Sequence, residues 1–253
     1  MSKACCGIAV MAKASRPGRT KTRLVPPLTF DEAAQLNTVF LKDAFANIAA
    51  AAREAPIRTF AAYGPLGEES FFHGLGSRLA GLIPAVFPDF GDCLRAGLEG
   101  MLAAGCSCAC VLNSDTPDLP TEYLLRCARE LEGGRDRVVV GPAEDGGYYI
   151  LGISRPHRRL FDDIEWSTPR VLGQTLERAA ELGLEVVSLP PWSDIDDAAS
   201  LRRFAMGPDA GSSDGGALPF AAPHSSAHLR TRLRDTDLGR RLALPPRLRV
   251  DAA

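Results

Sequence analysis

The chain predicts an α/β domain, with a mostly parallel sheet covered by helices on both faces. Two observations carry this. Short apolar runs alternate with longer segments of helical period along about 200 residues, and such alternation argues for a parallel sheet buried on both sides. In addition, polar loops rich in charge follow directly after the apolar runs, where ligands of open α/β sheets bind.

The elements follow in order. Cys6 to Met11 is a first buried strand. A helix is expected over Asp31 to Arg53, because Ala33, Leu36, Phe40, Ala44 and Ile48 recur at helical spacing, with Thr29 or Asp31 as N-cap. Further strands are expected at Arg58–Ala62, Ala85–Phe87, Ala109–Leu112, Arg137–Gly141, Tyr148–Ile153 and Glu185–Leu189. Helices fill the gaps at Cys93–Ala104, Thr121–Glu132, Thr168–Leu182 and Asp197–Phe204. Only a short turn separates Arg137–Gly141 from Tyr148, so the strand at Tyr148 is expected to run antiparallel to its neighbour.

Composition narrows the function classes. With 253 residues, the chain is long enough for a sizeable core. A net charge of -2 gives no reason to expect a nucleic acid or an anionic membrane as partner. No apolar run approaches the roughly 18 residues of a membrane span, and the run Ala4 to Ala12 sits too close to the N-terminus, with its basic residues mostly after it, to resemble a signal peptide. A cytoplasmic location is the expectation, and a homodimer is compatible with the chain. The seven cysteines show no zinc-ribbon spacing. Cys106, Cys108 and Cys110 alternate along one strand and are expected on one face, as packing thiols.

After Met206 the character changes. Residues 207–226 are rich in Gly, Ser, Ala and Pro without hydrophobic period, and residues 228–250 are arginine-rich with scattered leucines. The expected organisation is a domain over residues 1–206 and a flexible, low-complexity tail over 207–253, with a short docking helix as the alternative for the arginine-rich part.

Four clusters carry candidate chemistry. In VLNSDTPDLP, Asp115 directly follows a strand on a loop stiffened by Pro117 and Pro120, a placement suited to a hard divalent cation. Asp118 is an equal candidate for helix cap or site residue. In AKASRPGRTKTRL, Lys13, Arg16, Arg19, Lys21 and Arg23 face no acidic neighbour, and Gly18 permits a tight turn. Cations and turn amides together suit a phosphate or diphosphate. The spacing is not that of a Walker loop. In VGPAEDGGYYILGI, Glu144 and Asp145 lie between two strands, and Gly146–Gly147 would let the backbone approach a ligand closely. In WSDIDDAASL, Asp194, Asp196 and Asp197 exceed what capping one helix needs. Between the last two clusters, Ser167 or Thr168 with Pro169 reads as a helix start and a further anion site.

Taken together, PGRTKTRL, SDTPDLP, GPAEDGGYYILG, WSTP and DID resemble the uncharacterised glycosyltransferase-A-like (GT-A) transferases, also called radical-SAM/selenodomain-associated transferases. The resemblance spans about residues 5 to 205. It implies a Rossmann-like nucleotide-diphospho-sugar transferase (GT-A) fold. It also implies a metal-binding role for Asp115 and Asp196, with Mg²⁺ or Mn²⁺ as cofactor. Lys13, Gly18, Arg19, Lys21 and Arg23 would form the nucleotide loop. Two segments depart from the family pattern: FGDCLRAG stands where a GDLGER-like segment is usual, and Asp197–Ala198–Ala199–Ser200 replaces TPED.

The resulting expectation is a metal-dependent transferase that moves a sugar from a nucleotide-diphospho-sugar donor to a small-molecule acceptor. Asp145 or Glu144 would orient or deprotonate the acceptor hydroxyl. Guanylyl or cytidylyl transfer to a phosphorylated small molecule is the alternative, and a non-catalytic nucleotide-binding module the third reading.

Overall fold

The computed structural model describes residues 4–207, 217–235 and 237–244. The strands are β1 (Cys6–Lys13), β2 (Ile57–Gly64), β3 (Gly81–Pro84), β4 (Cys108–Leu112), β5 (Arg137–Pro142), β6 (Tyr148–Ile153) and β7 (Glu185–Ser188). The helices are α1 (Phe30–Ala51), α2 (Glu69–His73), α3 (Phe90–Ala103), α4 (Thr121–Glu132), α5 (Val171–Glu181), α6 (Ala198–Met206), α7 (Pro223–Asp235) and α8 (Leu238–Arg241). The strands form one sheet in the order β3-β2-β1-β4-β6-β5-β7. All pairs are parallel except those of β6, which runs antiparallel to both β4 and β5, as the short turn before Tyr148 requires.

Both sheet faces are buried, which is why the strands read as near-continuous apolar runs. Ile8 and Val10 of β1 pack with Leu41, Phe45 and Ile48 of α1 and Leu124 and Leu131 of α4. On the other face Ala9 packs with Leu94, Leu98 and Met101 of α3. Thr29 begins α1 through a reciprocal capping box with Glu32.

Several elements differ from expectation. The third strand lies at Gly81–Pro84, ahead of Ala85–Phe87, because a short edge strand bounded by Gly and Pro carries a loop's composition. Helix α2 is too short to show a period. Helix α5 begins three residues late, since the Thr168 hydroxyl is engaged with the Glu165 carbonyl. Cys106 precedes β4 and packs on the face opposite Cys108 and Cys110. The seven cysteines are all free. No described helix is long and apolar enough to cross a membrane.

The largest correction concerns the C-terminal stretch. Its described residues are not a free tail but pack as α7 and α8. Leu229, Leu238, Leu242 and Leu244 join Leu24, Leu28, Leu36 and Phe40 in a third apolar cluster. Asp43, fully buried in α1, accepts hydrogen bonds from His224 N at 2.9 Å, Ser225 N at 2.7 Å and the Ser225 hydroxyl. It thereby caps α7 from another helix, a long-range partner that local composition does not reveal. Residues 208–216, 236 and 245–253 of the expected tail lie outside the described residues. Asp43→Ala is expected to lower stability by at least ~1.5–3 kcal/mol, the scale of one hydrogen bond to a charged group. Urea unfolding measures this, and an unchanged midpoint would mean that Asp43 does not hold α7.

Candidate functional site

Strand order reverses between β1 and β4: β2 and β3 lie to one side of β1, and every later strand to the other. The carboxyl ends of β1 and β4 therefore bound the crevice where open α/β sheets bind ligands. The basic loop leaves β1 there, and Asn113–Ser114–Asp115 leaves β4 there.

The loop's cations divide between two tasks. Lys13, Arg16 and Arg19 line a cleft of about 680 Å³ together with Met11, Ala62, Val86, Phe87 and Phe90. Val86, Phe87 and Phe90 are about half exposed and form an apolar wall. Asn37 on α1 holds the start of the loop by donating to Lys13 O at 3.1 Å and Ser15 Oγ at 2.8 Å. Gly18 takes a φ of 72°, the left-handed turn conformation glycine favours. Lys21, also left-handed at φ 50°, turns away from the cleft toward β4. Its ammonium lies 2.8 Å from Asp115 Oδ1, donates to Ile195 O at 3.4 Å and sits 4.4 Å from the centre of the Phe40 ring. Only 5% of the Lys21 side chain is exposed. Arg23 pairs with Asp196 at 3.2 Å in a more exposed contact.

The acidic side is built by the loop after β4 and the segment before α6. Ile195 N donates to Asp115 O at 2.8 Å and joins the two backbones. Asn113 donates its side-chain N–H to Asp194 Oδ1 at 2.8 Å and accepts from the Thr116 hydroxyl. Burial pushes the Asp115 carboxyl up, but the charge and hydrogen bond of Lys21, the Ser114 hydroxyl and Arg23 outweigh it, so its pKa lies below the ordinary value. Asp194 goes the other way. Burial raises its pKa from 3.8 to about 7, Asn113 opposes this, and the charges of Asp115, Asp145 and Asp196 add to it. Asp197 is spent as the N-cap of α6, in a capping box with Ser200. Asp118 is not a cap: it accepts from the Trp192 indole at 3.1 Å.

Glu144 and Asp145 are exposed on the turn between β5 and β6, and Asp145 Oδ1 accepts from Gly147 N at 2.9 Å. Gly146 has a φ of 88°, and a Cβ there would meet the Pro169 carbonyl oxygen at 2.3 Å. The backbone of Pro169 makes a close approach at Gly146, which brings the EDGG and WSTP segments together. Trp192 N donates to Pro142 O at 3.1 Å, so the acidic segment runs beside the start of the same turn.

The chain is similar to known proteins in sequence or fold. Residues 47–168 match the family model "Uncharacterized protein conserved in bacteria (DUF2064)". The chain is similar, at 26% identity and a TM-score of 0.75, to a "putative nucleotide-diphospho-sugar transferase" from Desulfovibrio desulfuricans G20, with 90% of this chain and 94% of that one covered. A CMP:2-keto-3-deoxy-manno-octonic acid synthetase complexed with CTP aligns at 12% identity and a TM-score of 0.49, covering 79% of this chain and 95% of that one. Glucosyl-3-phosphoglycerate synthase from Mycobacterium tuberculosis, complexed with Mn²⁺, UDP and glucosyl-3-phosphoglycerate, aligns at 12% identity and a TM-score of 0.46, with 83% and 82% covered. No curated protein matches the chain. The fold is that of the GT-A-like nucleotide-diphospho-sugar transferases.

The DUF2064 match contains Asp115, Glu144 and Asp145, but neither the basic loop nor the segment with Asp194 and Asp196. Asp115, Asp194 and Asp196 offer only carboxylate oxygens, the donors hard cations take. The upward displacement of Asp194 comes first from its burial, with the charges of Asp115, Asp145 and Asp196 adding to it. By charge and donor type the residues fit a divalent cation. Among the described residues no three His, Cys, Asp or Glu side chains converge on one ion position, and the Lys21 ammonium lies on Asp115 Oδ1. In the chain WSDIDDAASL nothing local sets Asp194 apart from Asp196. The signal for Asp194, its bond to Asn113 across 81 residues, exists only in three dimensions.

Asp194 also sets a pH dependence. With a folded pKa of about 7 against an ordinary 3.8, the unfolded chain ionises first as pH rises. Metal-free protein should therefore lose stability from about pH 4 to 7, in the range where the unfolded state binds fewer protons. Asp194→Asn should flatten that slope in unfolding curves collected with chelator. An unaltered slope would mean that Asp194 titrates normally.

Proposed function

We propose that the protein transfers a sugar from a nucleotide-diphospho-sugar donor to a small-molecule acceptor. The observation carrying this reading is a single juxtaposition. At the carboxyl edge of the sheet, the single loop after β1 lines a cleft with an apolar wall and a basic rim through Lys13, Arg16 and Arg19, and reaches the carboxylates of Asp115 and Asp196 through Lys21 and Arg23.

The apolar wall of Val86, Phe87 and Phe90 would take the base, and Lys13 and Arg19 at the rim would hold the diphosphate. Arg supplies a bidentate fork for phosphate and Lys a point charge. Asp115, with Asp194 or Asp196, would hold Mg²⁺ or Mn²⁺. When bound, such an ion offsets the charge on the departing nucleoside diphosphate. Asp145, with Glu144 beside it, would orient the acceptor hydroxyl and accept its proton.

Incubating the protein and Mn²⁺ with a panel of nucleotide sugars tests the chemistry. Slow hydrolysis of one of them to nucleoside diphosphate is expected. Pyrophosphate release from a nucleoside triphosphate in a co-substrate screen, with no nucleotide sugar consumed, would assign nucleotidyl transfer instead. In thermal-shift titrations Asp115→Ala should abolish the Mn²⁺-dependent part of nucleoside diphosphate binding, and Asp196→Ala should weaken it in part. Replacing Lys13 and Arg19 together by alanine should weaken nucleoside diphosphate by ~1.5–3 kcal/mol for each charged hydrogen bond lost. Normal binding by the double variant would leave these two cations without a role in the site.

A further inference from the structure

We infer that the C-terminal helices are a working part of this site, and that Arg241 is the positioning residue through which they set the basic loop. The inference rests on the reading of that loop as a phosphate binder.

The loop is held at one end by β1 and at the other by the N-terminus of α1. Between them its buried anchors are Leu24 and Leu28, at 0% and 4% exposure. Both sink into the third apolar cluster, where Leu229, Leu238, Leu242 and Leu244 come from the C-terminal segment. Phe40 and Ile195 belong to that cluster too, and these are the residues whose ring and carbonyl receive the Lys21 ammonium. One apolar unit therefore supports Lys21, the backbone beside Asp196 and the C-terminal helices at once.

Arg241 supplies direction to this packing. Its Nη1 and Nη2 donate to Glu32 Oε2 and Oε1 at 2.9 and 2.7 Å, a bidentate fork. Nη1 also donates to the Pro27 carbonyl of the loop. Asp237 holds Nε at 2.9 Å and fixes the guanidinium plane. Glu32 is meanwhile the residue that closes the capping box of α1 on Thr29. The fork thus joins the loop's exit, the start of α1 and α8. Lysine could offer the charge but not the planar fork.

The experiment uses the full chain, with Arg241→Ala and Arg241→Lys compared by amide hydrogen exchange and by titration with inorganic pyrophosphate. The amides of Leu24, Val25 and Leu28 bond within the loop to Lys21, Thr22 and Leu24 carbonyls, so they report its order. Arg241→Ala should speed their exchange at least about tenfold, a local opening of ~1.4 kcal/mol, while amides of β1 and β4 stay protected. Pyrophosphate affinity should fall about tenfold, with partial recovery in Arg241→Lys. Should Arg241→Ala not fold, Glu32→Gln tests the same fork while keeping its shape. Equal acceleration in loop and sheet, or no change in the loop, would overturn the positioning role. If the unaltered protein binds no pyrophosphate, the phosphate reading fails, while the exchange data still decide whether Arg241 orders the loop.

Discussion

The contact on which the rest of the site depends is the ion pair between Lys21 and Asp115. It joins the loop after β1 to the loop after β4 across the reversal point of the sheet. Lys21 reaches it only by adopting a left-handed backbone, a conformation that non-glycine residues rarely take and that surrounding structure must enforce. The enforcing contacts are the Phe40 ring and the Ile195 carbonyl. The Lys21 ammonium is buried, and a buried charge is tolerated only when it is paired and hydrogen-bonded; Asp115, whose side chain is 37% exposed, is the partner that meets it. The pair therefore couples loop geometry to electrostatics: moving the loop would leave both charges without their partner.

Around that pair the charge is uneven, and the unevenness separates roles among chemically identical side chains. Asp115 has a cation and a hydroxyl at hand, and its pKa lies below the ordinary carboxylate value. Asp194 is buried among three other carboxylates with one amide donor, and titrates near neutrality. Asp197 has its charge taken up in capping α6, its carboxyl lowered by backbone and side-chain hydrogen bonds from Ser200. Environment, not residue type, assigns each aspartate its behaviour.

Much of the site was legible in the chain because its residues act through local chemistry. A carboxylate directly after an apolar strand, a run of cations with a glycine turn, and Thr29 three residues before Glu32 each carry their physical meaning within a few positions. The antiparallel course of β6 was legible for the same reason, since loop length alone forbids a crossover. What escaped notice depended on partners far along the chain. Gly146 marks the close approach of the Pro169 backbone from another segment. Asp43 in the middle of a helix has no local reason to be acidic; its reason is the N-terminus of α7, 181 residues on.

Sequence by itself determined the class of fold, the order and type of most strands and helices, and the loops in which charge would gather, because hydrophobic period and turn chemistry are local properties. Tertiary structure alone decided how that charge is shared. It sent Lys21 and Arg23 to the carboxylates and Lys13, Arg16 and Arg19 to the cleft, raised Asp194 above its neighbours, and turned an arginine-rich stretch of unpromising composition into a wall behind the basic loop. Those outcomes depend on desolvation and on distances between residues remote in sequence, and both arise only when the chain has packed.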